Sequence, residues 1–320
     1  MSSNRYVNPH KYKLGEYLLQ WLENYSATVE LAENTYNGYL VNINNHINPV
    51  LGEIMLNEIT PEHIDELLLN LRIKGLSGTS QRYVLAVLHK AFETAKKRRL
   101  ITENIVDLID KPKKNKFEPE ILTQEQVITF MNALEKIETH FSVALQILIS
   151  LGCRRGEMLG LKWYDVDFEK HSIKILRTAT PAKGGYHFSP CKTDKSRREL
   201  LLPDSLYNRL VEWKNIQAQY ITSDNSKDFE YILCQPSGKI VRASSLNKQY
   251  KKLLAKNGLP DIRIHDLRHS WASLMARNNV PVKIASEMLG HSKIQTTLDI
   301  YTHSNIEMQE SAIGVINGLL

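Results

Sequence analysis

The segment FSVALQILISLGCRRGEMLGL, residues 141–161, decides the fold of the second half of this chain. Its first half is almost wholly apolar and predicts a buried helix from Phe141 to Leu151. Gly152 ends that helix, because glycine readily takes the left-handed backbone conformation found after helices. Arg154 therefore lies on a turn between this helix and the short helix that follows. An arginine on such a turn is able to project into a cleft, but a solvated surface arginine is the ordinary alternative.

Downstream, β-branched and alternating segments indicate a small antiparallel sheet. Strands are predicted at SIKILRTAT (172–180), at HFSP after the turn Gly184–Gly185, and at RELLLP up to Pro203, with YILC (231–234) as a further candidate. Lys192 lies in a hairpin of this sheet, and Arg197 and Arg198 stand at the start of the next strand. A hairpin lysine is ordinarily a solvated loop residue, so Lys192 alone indicates no chemistry.

From Ser245 to the C-terminus the pattern is helical. His265 and Arg268 are three residues apart at the start of a predicted helix, so both face one side. His269 is four residues from His265, which is also the spacing of a metal-ligand pair, but no third ligand is spaced to complete a site. We therefore favour an anion site, to which the first N–H groups and the dipole of the helix contribute.

The end of the chain holds two more candidates. Gly290 closes the predicted helix PVKIASEML, His291 follows it, and Ser292 is predicted to cap the next helix. Tyr301 lies late in that last helix, ahead of the apolar-striped tail EMQESAIGVINGLL (307–320). A histidine that caps a helix end and a tyrosine in the core are the ordinary alternatives for His291 and Tyr301.

The first hundred residues predict a small bundle of four helices joined by short loops. These helices are Leu14–Tyr25, Thr35–Ile47 (ending before Pro49), one that begins at Thr60–Pro61 and stops at Gly75, and one from Thr79 to about Arg99. KPKKNKFEP (111–119) has prolines near both ends and four lysines, so it predicts a basic linker. The predicted domains are therefore 1–110 and 120–320, and the second opens with the capping box Thr123-x-x-Gln126.

Composition excludes several protein classes. Of the 320 residues 42% are apolar and 24% are charged, as in a folded globular protein rather than a disordered one. No apolar run is long enough for a membrane span, and MSSNRYVNPHKYK at the start lacks the apolar core of a secretion signal. The three cysteines stand far apart with no CxxC pair, which suits a reducing compartment. We expect an intracellular protein with no membrane partner.

The net charge of +6 is unevenly distributed. Residues 1–110 carry 11 Lys/Arg against 13 Asp/Glu, yet they include a contiguous basic run, and residues 111–116 add four lysines without an acid. A polyanion held by local patches is one explanation, and solvated helix ends are the other. The candidate DNA-binding residues are Lys96, Lys97, Arg98, Arg99, Lys111, Lys113, Lys114 and Lys116.

Taken together, these motifs form a set that is known from one protein family. The strings GCRRGEMLGLKWYDVD, KTDKSRRELLLP, HDLRHSWAS, MLGHS and TLDIYTH closely resemble, in order and spacing, the motif boxes of the tyrosine recombinase (phage integrase) family. The match spans about residues 120 to 305, and the chain looks most like integrases of temperate phages and conjugative transposons. The resemblance implies a mainly α fold with a small antiparallel β-sheet (α+β), made of a helical core-binding bundle and a tyrosine recombinase catalytic domain.

The implied function is site-specific DNA recombination. Such enzymes cleave and rejoin DNA through a 3′-phosphotyrosyl intermediate and exchange strands through a Holliday junction, here for integration or excision of a mobile element. By resemblance, Tyr301 is the nucleophile, and Arg154 and Arg268 clamp the phosphate oxygens. Arginines suit that role because a guanidinium is forked and keeps its charge. A phenol ionises more readily than serine and is a fair leaving group for the reverse step, so no ATP is needed.

The remaining roles are also carried over from the family. Lys192 is the mobile acid that protonates the departing 5′-oxygen, His265 accepts or shares the tyrosine proton, and His291 hydrogen-bonds the phosphate. Glu157 buttresses the arginine and histidine side chains. No metal or cofactor is expected, because the cationic side chains supply the positive charge.

The resemblance also implies partners. They are double-stranded DNA at specific attachment or core sites, further copies of the chain in a homotetramer joined by the tail, and accessory DNA-bending or excision factors. Related integrases often carry an N-terminal arm-binding domain, which we expect to be naturally absent here or removed. The expected location is the cytoplasm of a bacterium, at the nucleoid. A DNA-binding regulator, a type IB topoisomerase and a metal-dependent nuclease built on His265 and His269 are the rival hypotheses.

Overall fold

The computed structural model describes residues 12–115, 119–182, 184–191, 193–222 and 229–301. The chain divides into two compact units, Met1–Phe117 and Glu118–Leu320. Each unit has a hydrophobic core of its own, formed by residues 14–109 in the first and mainly by residues 122–267 in the second. None of the described helices is both long enough and apolar enough to cross a membrane.

The first unit is helical, as predicted. Its helices are α1 (Leu14–Val29), α2 (Glu33–Asn42), α3 (Asn48–Leu51), α4 (Pro61–Ile73) and α5 (Gly78–Lys97), with a π-helical turn at Ile43–Ile47 and 3-10 turns at Leu56–Glu58 and Ile105–Leu108. The predicted ends at Thr60–Pro61 and Gly75 are confirmed, with Gly75 at φ +77°. The apolar face of α5, from Val84 to Ala95, is buried.

The expectation that the second helix ends before Pro49 is wrong. Helical backbone continues through Pro49, which lies in the first turn of α3. A proline is tolerated in the first turn of an isolated helix, but it is normally excluded where helical backbone precedes it, because it has no N–H and its ring clashes with the carbonyl four residues earlier. The π-helical turn of Ile43–Ile47 shifts this bonding, so that the N–H of Asn48 bonds to the carbonyl of Ile43, five residues back. The wider turn accommodates the proline ring.

The first part of the predicted linker is fastened to the first unit. The Arg82 guanidinium donates to the carbonyl of Pro112 (3.0 Å), and the Gly78 N–H donates to Oδ1 of Asn115 (2.7 Å). A Cβ at Gly78 would stand 2.0 Å from the carbonyl oxygen of Lys113, so only glycine fits at the start of α5. The chain up to residue 115 is thus part of the helical unit rather than a loose spacer.

The second unit surrounds a long buried helix. Its helices are α6 (Gln124–Glu135), α7 (His140–Leu151), α8 (Arg155–Leu159), α9 (Asp204–Ala218), α10 (Ala243–Lys256), α11 (Asp266–Arg277), α12 (Val282–Leu289) and α13 (Gln295–Tyr301). The Thr123/Gln126 capping box and the ends of α7 at Gly152 and α12 at Gly290 are confirmed. Ser292 does not cap α13, because the helix begins only at Gln295.

The strands form two small antiparallel sheets instead of the single sheet predicted. One sheet has the order β1 (Val166–Asp167), β2 (Ser172–Ile175), β5 (Arg198–Leu201), and the other pairs β3 (Arg177–Ala182) with β4 (Gly185–Pro190). The predicted strand 172–180 breaks at Leu176, because its second half pairs with β4 over six residues, from Arg177 opposite Pro190 to Ala182 opposite Gly185. Tyr231 and Cys234 form isolated bridges rather than a strand.

Candidate active site

Two glycine turns bring the ends of α7 and α12 together. Gly152 (φ +58°) and Gly290 (φ +66°) both take the left-handed conformation. A Cβ at Gly152 would lie 2.9 Å from the Trp271 ring, and one at Gly290 would lie 2.8 Å from a guanidinium nitrogen of Arg198. Glycine is therefore required at both turns, by conformation and by space. The exposed carbonyls of these turns are the anchor points for the arginines of the site.

Arg268 joins the two turns. It lies in the first turn of α11 and donates to the carbonyls of Gly152 (2.7 Å) and Leu289 (2.8 Å). Carbonyls at a helix C-terminus lack partners within the helix and attract cations, so one guanidinium satisfies both helix ends. The residue is only 4% exposed. Burial, followed by the nearby charge of Arg154, lowers the pKa of Arg268 to about 9.

Arg154 immediately precedes α8 and is held by Glu157. The Glu157 carboxylate accepts from the Arg154 backbone N–H (2.9 Å) and from its Nη1 (2.6 Å), while Nη2 donates to the carbonyl of Gly290 (3.1 Å). The Arg154 side chain is 39% exposed, whereas that of Glu157 is 3% exposed. Arg154 is thus fixed at its base and open to solvent, as a group that receives a ligand must be.

Arg198 is a third arginine of this cluster, which the motifs did not single out. Its Nη2 donates to Glu157 Oε2 (3.0 Å), its Nε to the carbonyl of Met288 (2.5 Å) and its Nη1 to the carbonyl of Ser196 (3.1 Å). The expectation that Glu157 buttresses an arginine and a histidine therefore needs correction, because its second partner is Arg198. A basic pair at a strand start, where one arginine faces inward, was the available sequence signal.

His265 and His269 lie at the mouth of the site. His265 immediately precedes α11, and the two rings are perpendicular with centroids 5.5 Å apart. Although His265 borders open space, partial burial of its ring, followed by the charges of His269 and Arg268, lowers its pKa to about 4. Burial also lowers the pKa of His269. His265 is consequently neutral at physiological pH and is able to accept a proton.

His291 follows the Gly290 turn and is held by α13. Its Nδ1 lies 2.7 Å from the hydroxyl of Thr297, which is completely buried. Burial, followed by the charges of Arg268 and Arg154, lowers the pKa of His291 to about 3. The neutral ring therefore keeps its second nitrogen for a ligand in the cluster.

The lowered pKa values of His265 and His291 predict an acid-sensitive second unit. A histidine whose folded-state pKa lies below the unfolded value of 6.5 takes up a proton on unfolding, so stability falls as pH drops from about 6.5 towards 3. We expect each histidine to lower the free energy of unfolding by about 1 kcal/mol at pH 4.5, after allowance for its partial exposure. Urea unfolding of His291→Gln and the parent chain at pH 7 and pH 4.5 measures the difference. Equal pH dependence in both proteins would contradict it.

An open cleft of about 560 Å³ adjoins the cluster. Arg154 and His265 line one side, and Ala243 and Ser244 at the start of α10 line the other. The cleft is open and is lined by Arg154, Arg155, Arg263 and His265, so it suits an extended anionic ligand better than a small apolar molecule.

Tyr301 ends α13 but does not join the arginine cluster. Its ring packs against the Trp271 cluster, and its hydroxyl donates to the carbonyl of Val280 (3.2 Å). Val280 follows the C-terminal end of α11, whereas Arg268 lies in its first turn, on the order of 10 Å away along the helix axis. Burial raises the pKa of Tyr301. Within one chain the Tyr301 hydroxyl is therefore held by the Val280 carbonyl, away from Arg154 and Arg268.

Some predicted residues lie outside the described part of the chain. These are Lys192, Lys116 and the tail 307–320. Among the described residues, one group of three ligand-type side chains places its donor atoms within 4.8 Å, namely His89, Glu93 and Asp107 in the first unit. His89 Nε2 already lies 2.8 Å from Asp107 Oδ1, so a hydrogen bond accounts for that contact. The three cysteines are buried thiols.

The contiguous basic run of the first unit does not form one face. Lys97 and Lys111 line a cleft of about 630 Å³. Lys96 and Arg99 line a different cleft of about 600 Å³, because successive helix residues point about 100° apart. Arg98, Lys113 and Lys114 are exposed. The first cleft is also lined by Arg82, His89, Lys90 and Tyr25.

Comparison with known proteins identifies the chain. The phage integrase family model matches residues 120–308, and the model of the phage integrase N-terminal SAM-like domain matches residues 13–71. The chain belongs to the phage integrase family. The family match covers all three arginines, the histidines and Tyr301, so the cluster described above lies within the shared domain. By family this integrase is a site-specific tyrosine recombinase.

Relatives and a solved structure agree with this assignment. The chain is 36% identical over 200 residues to a XerC-like tyrosine recombinase of Caldanaerobacter subterraneus subsp. tengcongensis, covering 58% of this chain but only 51% of that relative. It is 25% identical to the ICEBs1 integrase of Bacillus subtilis over 92% of this chain and 80% of the relative. The fold matches the Tn1549 transposon integrase, solved in complex with a circular intermediate DNA, with TM-score 0.80 and 20% identity, covering 95% of this chain and 99% of that one.

Proposed function

We propose that this integrase cleaves and rejoins double-stranded DNA at specific attachment or core sites, through a 3′-phosphotyrosyl intermediate on Tyr301. The observation that carries the proposal is the charge of the cluster. Arg154, Arg198 and Arg268 surround a single buried carboxylate, Glu157, so the site holds surplus positive charge before any ligand binds. A phosphodiester that becomes more negative in its transition state is the ligand that such a site stabilises.

The roles follow from the geometry of the donors. A guanidinium has five N–H donors, and the side chains of Arg154 and Arg268 each make two hydrogen bonds to protein acceptors, which leaves donors for the non-bridging phosphate oxygens. His291, oriented by Thr297, adds a hydrogen bond from its second nitrogen. The arriving phosphate also relieves the repulsion among these cations. Binding of substrate is therefore coupled to completion of the clamp.

The covalent step exchanges one P–O bond for another. The phenolic oxygen of Tyr301 bonds to phosphorus, its proton passes to the neutral His265, and the bond to the 5′-oxygen breaks while that oxygen takes a proton from Lys192. For this step the Tyr301 hydroxyl has to leave the Val280 carbonyl. The hydrogen bond itself contributes only about 1 kcal/mol, but the ring also has to leave the Trp271 cluster, so the exchange requires α13 to move. Tyr301 then attacks a phosphate that is held by Arg154 and Arg268 of its own chain or of a neighbouring copy.

Partners follow from the reaction. Exchange between two duplexes requires four strand cleavages, one nucleophile for each, so we propose that four copies assemble on a Holliday junction. The proposed domains are a DNA-binding core-binding domain, which includes the basic segment up to residue 115, and a catalytic domain (120–320) whose tail joins copies. Accessory DNA-bending or excision factors set the direction between integration and excision of the mobile element. Since the substrate is chromosomal or mobile-element DNA, we propose that the reaction takes place in the bacterial cytoplasm, at the nucleoid.

Covalent capture tests the proposed function. The protein is incubated in EDTA with nicked duplexes that carry candidate attachment sites, so that the short cleaved fragment diffuses away and the adduct accumulates. We expect a denaturant-stable adduct whose peptide maps to Tyr301. Salt-sensitive binding without an adduct would favour a DNA-binding regulator, and plasmid relaxation without site preference would favour a topoisomerase. Loss of cleavage in EDTA would favour the metal-dependent nuclease.

The two basic clefts of the first unit predict unequal effects on DNA affinity. Lys97 and Lys111 share their cleft with Arg82 and Lys90, and the Lys90 ammonium lies 5.3 Å from the Tyr25 ring. We expect Lys97→Gln/Lys111→Gln to weaken duplex binding about tenfold and to reduce the slope of log K against log salt by about 1.8, since each phosphate contact contributes about 0.9. Fluorescence anisotropy at several salt concentrations measures both quantities.

Lys96→Gln/Arg99→Gln is the matched control, because it removes the same charge from the other cleft. We expect it to change the slope by less than about 0.5. Equal effects of the two double variants would show that the run acts through general charge rather than through one face. A wild-type slope for the first variant would remove its cleft from the DNA-binding surface.

A further inference from the structure

Arg198 is the most buried contact of the Glu157 carboxylate. The Arg198 side chain is 7% exposed, against 39% for Arg154, and both guanidinium groups bond to Glu157. Arg154 bonds chiefly to Oε1 with its side chain, whereas Arg198 bonds to Oε2. One carboxylate therefore stands between an arginine with an exposed side chain and a buried arginine whose three nitrogens all donate to protein acceptors.

The electrostatics show which arginine balances the carboxylate. Burial acts to raise the pKa of Glu157, but the charge and the hydrogen bond of Arg198, followed by those of Arg154, hold that pKa below its usual value. Arg198 is thus the principal counter-charge of Glu157. With Arg198 removed, Glu157 Oε2 would lose its side-chain counter-charge, and the Arg154 guanidinium, which already holds Oε1 at 2.6 Å, would turn to pair with both carboxylate oxygens. Its Nη2 would then leave the Gly290 carbonyl, and its charge would be balanced by Glu157 instead of by the phosphate.

Arg198 is also fixed in place from three directions. Besides Glu157 it donates to the carbonyls of Met288 at the end of α12 and of Ser196 ahead of β5. The Gly290 turn passes directly over it, since a Cβ there would stand 2.8 Å from its Nη1. The guanidinium therefore underlies both the Arg154–Glu157 pair and the turn that carries His291. A lysine could supply the charge but only one of the three contacts.

We propose that Arg198 is a positioning residue of strand transfer, which neutralises Glu157 so that Arg154 keeps its orientation and its positive charge for the scissile phosphate. The inference rests on the proposed function, since it assigns Arg198 to the same reaction. It distinguishes two roles within one cluster: Arg154 and Arg268 contact the phosphate, and Arg198 acts through Arg154.

A double-mutant cycle with Glu157 tests this role. We expect Arg198→Met to slow single-turnover covalent capture at saturating DNA about 100-fold, the size of effect that a slight misplacement of a reacting group produces, with the Kd for DNA within about twofold of the parent. In a Glu157→Gln background, where no carboxylate charge needs balancing, the same Arg198→Met change should cost less than about tenfold. Arg198→Lys should fall between, and exposed Arg197→Met is the matched control with a near-parental rate.

The cycle separates positioning from a merely structural role. If Arg198 were merely structural, Arg198→Met would slow covalent capture by the same factor in the Glu157→Gln background as in the parent. That result would overturn the proposal, and so would a near-parental rate for Arg198→Met. If circular dichroism shows that Arg198→Met alone is unfolded, the proposal is tested by comparing the capture rate of Glu157→Gln/Arg198→Met with that of Glu157→Gln, and by the rate of Arg198→Lys. Failure of the parent chain to form a Tyr301 adduct would instead refute the proposed function itself.

Discussion

Tyr301→Phe is expected to abolish covalent capture of a nicked duplex while leaving the Kd for DNA within about twofold of the parent. The phenolic oxygen is the atom that bonds to phosphorus in the proposed reaction, and phenylalanine offers no replacement. The variant also loses the hydrogen bond to the Val280 carbonyl, but such a bond contributes only about 1 kcal/mol, so the fold should persist. Denaturing electrophoresis of labelled DNA measures the adduct, and anisotropy measures binding.

Tyr207→Phe is a suitable control for this prediction. Tyr207 is also partly buried in the second unit, and its ring stacks on His171 at 3.9 Å, away from the arginine cluster. It should form the adduct at the parental rate. An adduct formed by Tyr301→Phe would mean that another side chain is the nucleophile, and peptide mapping would then identify it.

Arg154→Lys is expected to slow covalent capture by about 100- to 1,000-fold, the range seen when one transition-state hydrogen-bond donor is removed. Arg154 bonds to Glu157 and to the carbonyl of Gly290 with separate nitrogens, and its remaining donors address the phosphate. A lysine carries one nitrogen and cannot make the forked contact, although it keeps the charge. DNA affinity should consequently change little, and the loss should appear in the single-turnover rate at saturating DNA.

The neighbouring residue supplies the control for Arg154. Arg155 lines the same cleft and is exposed, so Arg155→Lys keeps the charge without disturbing the Glu157 contact. Its rate should stay within about twofold of the parent. A near-parental rate for Arg154→Lys would remove Arg154 from the phosphate clamp. A rate loss shared equally by both variants would point to DNA positioning instead of transition-state stabilisation.

Features that depend only on residues close together in the chain were predicted correctly from the sequence. Glycines placed the ends of α4, α7 and α12, the Thr123/Gln126 pair placed the start of α6, and apolar spacing placed α5 and α7. Such signals act within one helical turn, so they are visible in one dimension. The ordered motifs also identified the family and the residues around which the site is built.

Where local signals conflicted with packing, the sequence predictions were wrong. A π-helical turn carries the chain through Pro49, and the predicted strand 172–180 divides between two sheets. The start of the basic linker is bonded to α5, and the contiguous cations around Lys97 line two clefts. Each outcome depends on a partner far along the chain, which a local pattern does not contain.

The sequence alone determined that this integrase is a mainly helical protein of two parts, and it identified the arginines and the tyrosine proposed for catalysis. Only the tertiary structure decided how that set is connected, because its bonds join distant residues: Arg268 meets Gly152 across 116 positions and Arg154 meets Gly290 across 136. The same folding made Arg198 the counter-charge of Glu157 and placed the Tyr301 hydroxyl on Val280. The physical reason is that helix ends are set by local hydrogen bonds, whereas buried charges take their partners from whatever the fold brings beside them.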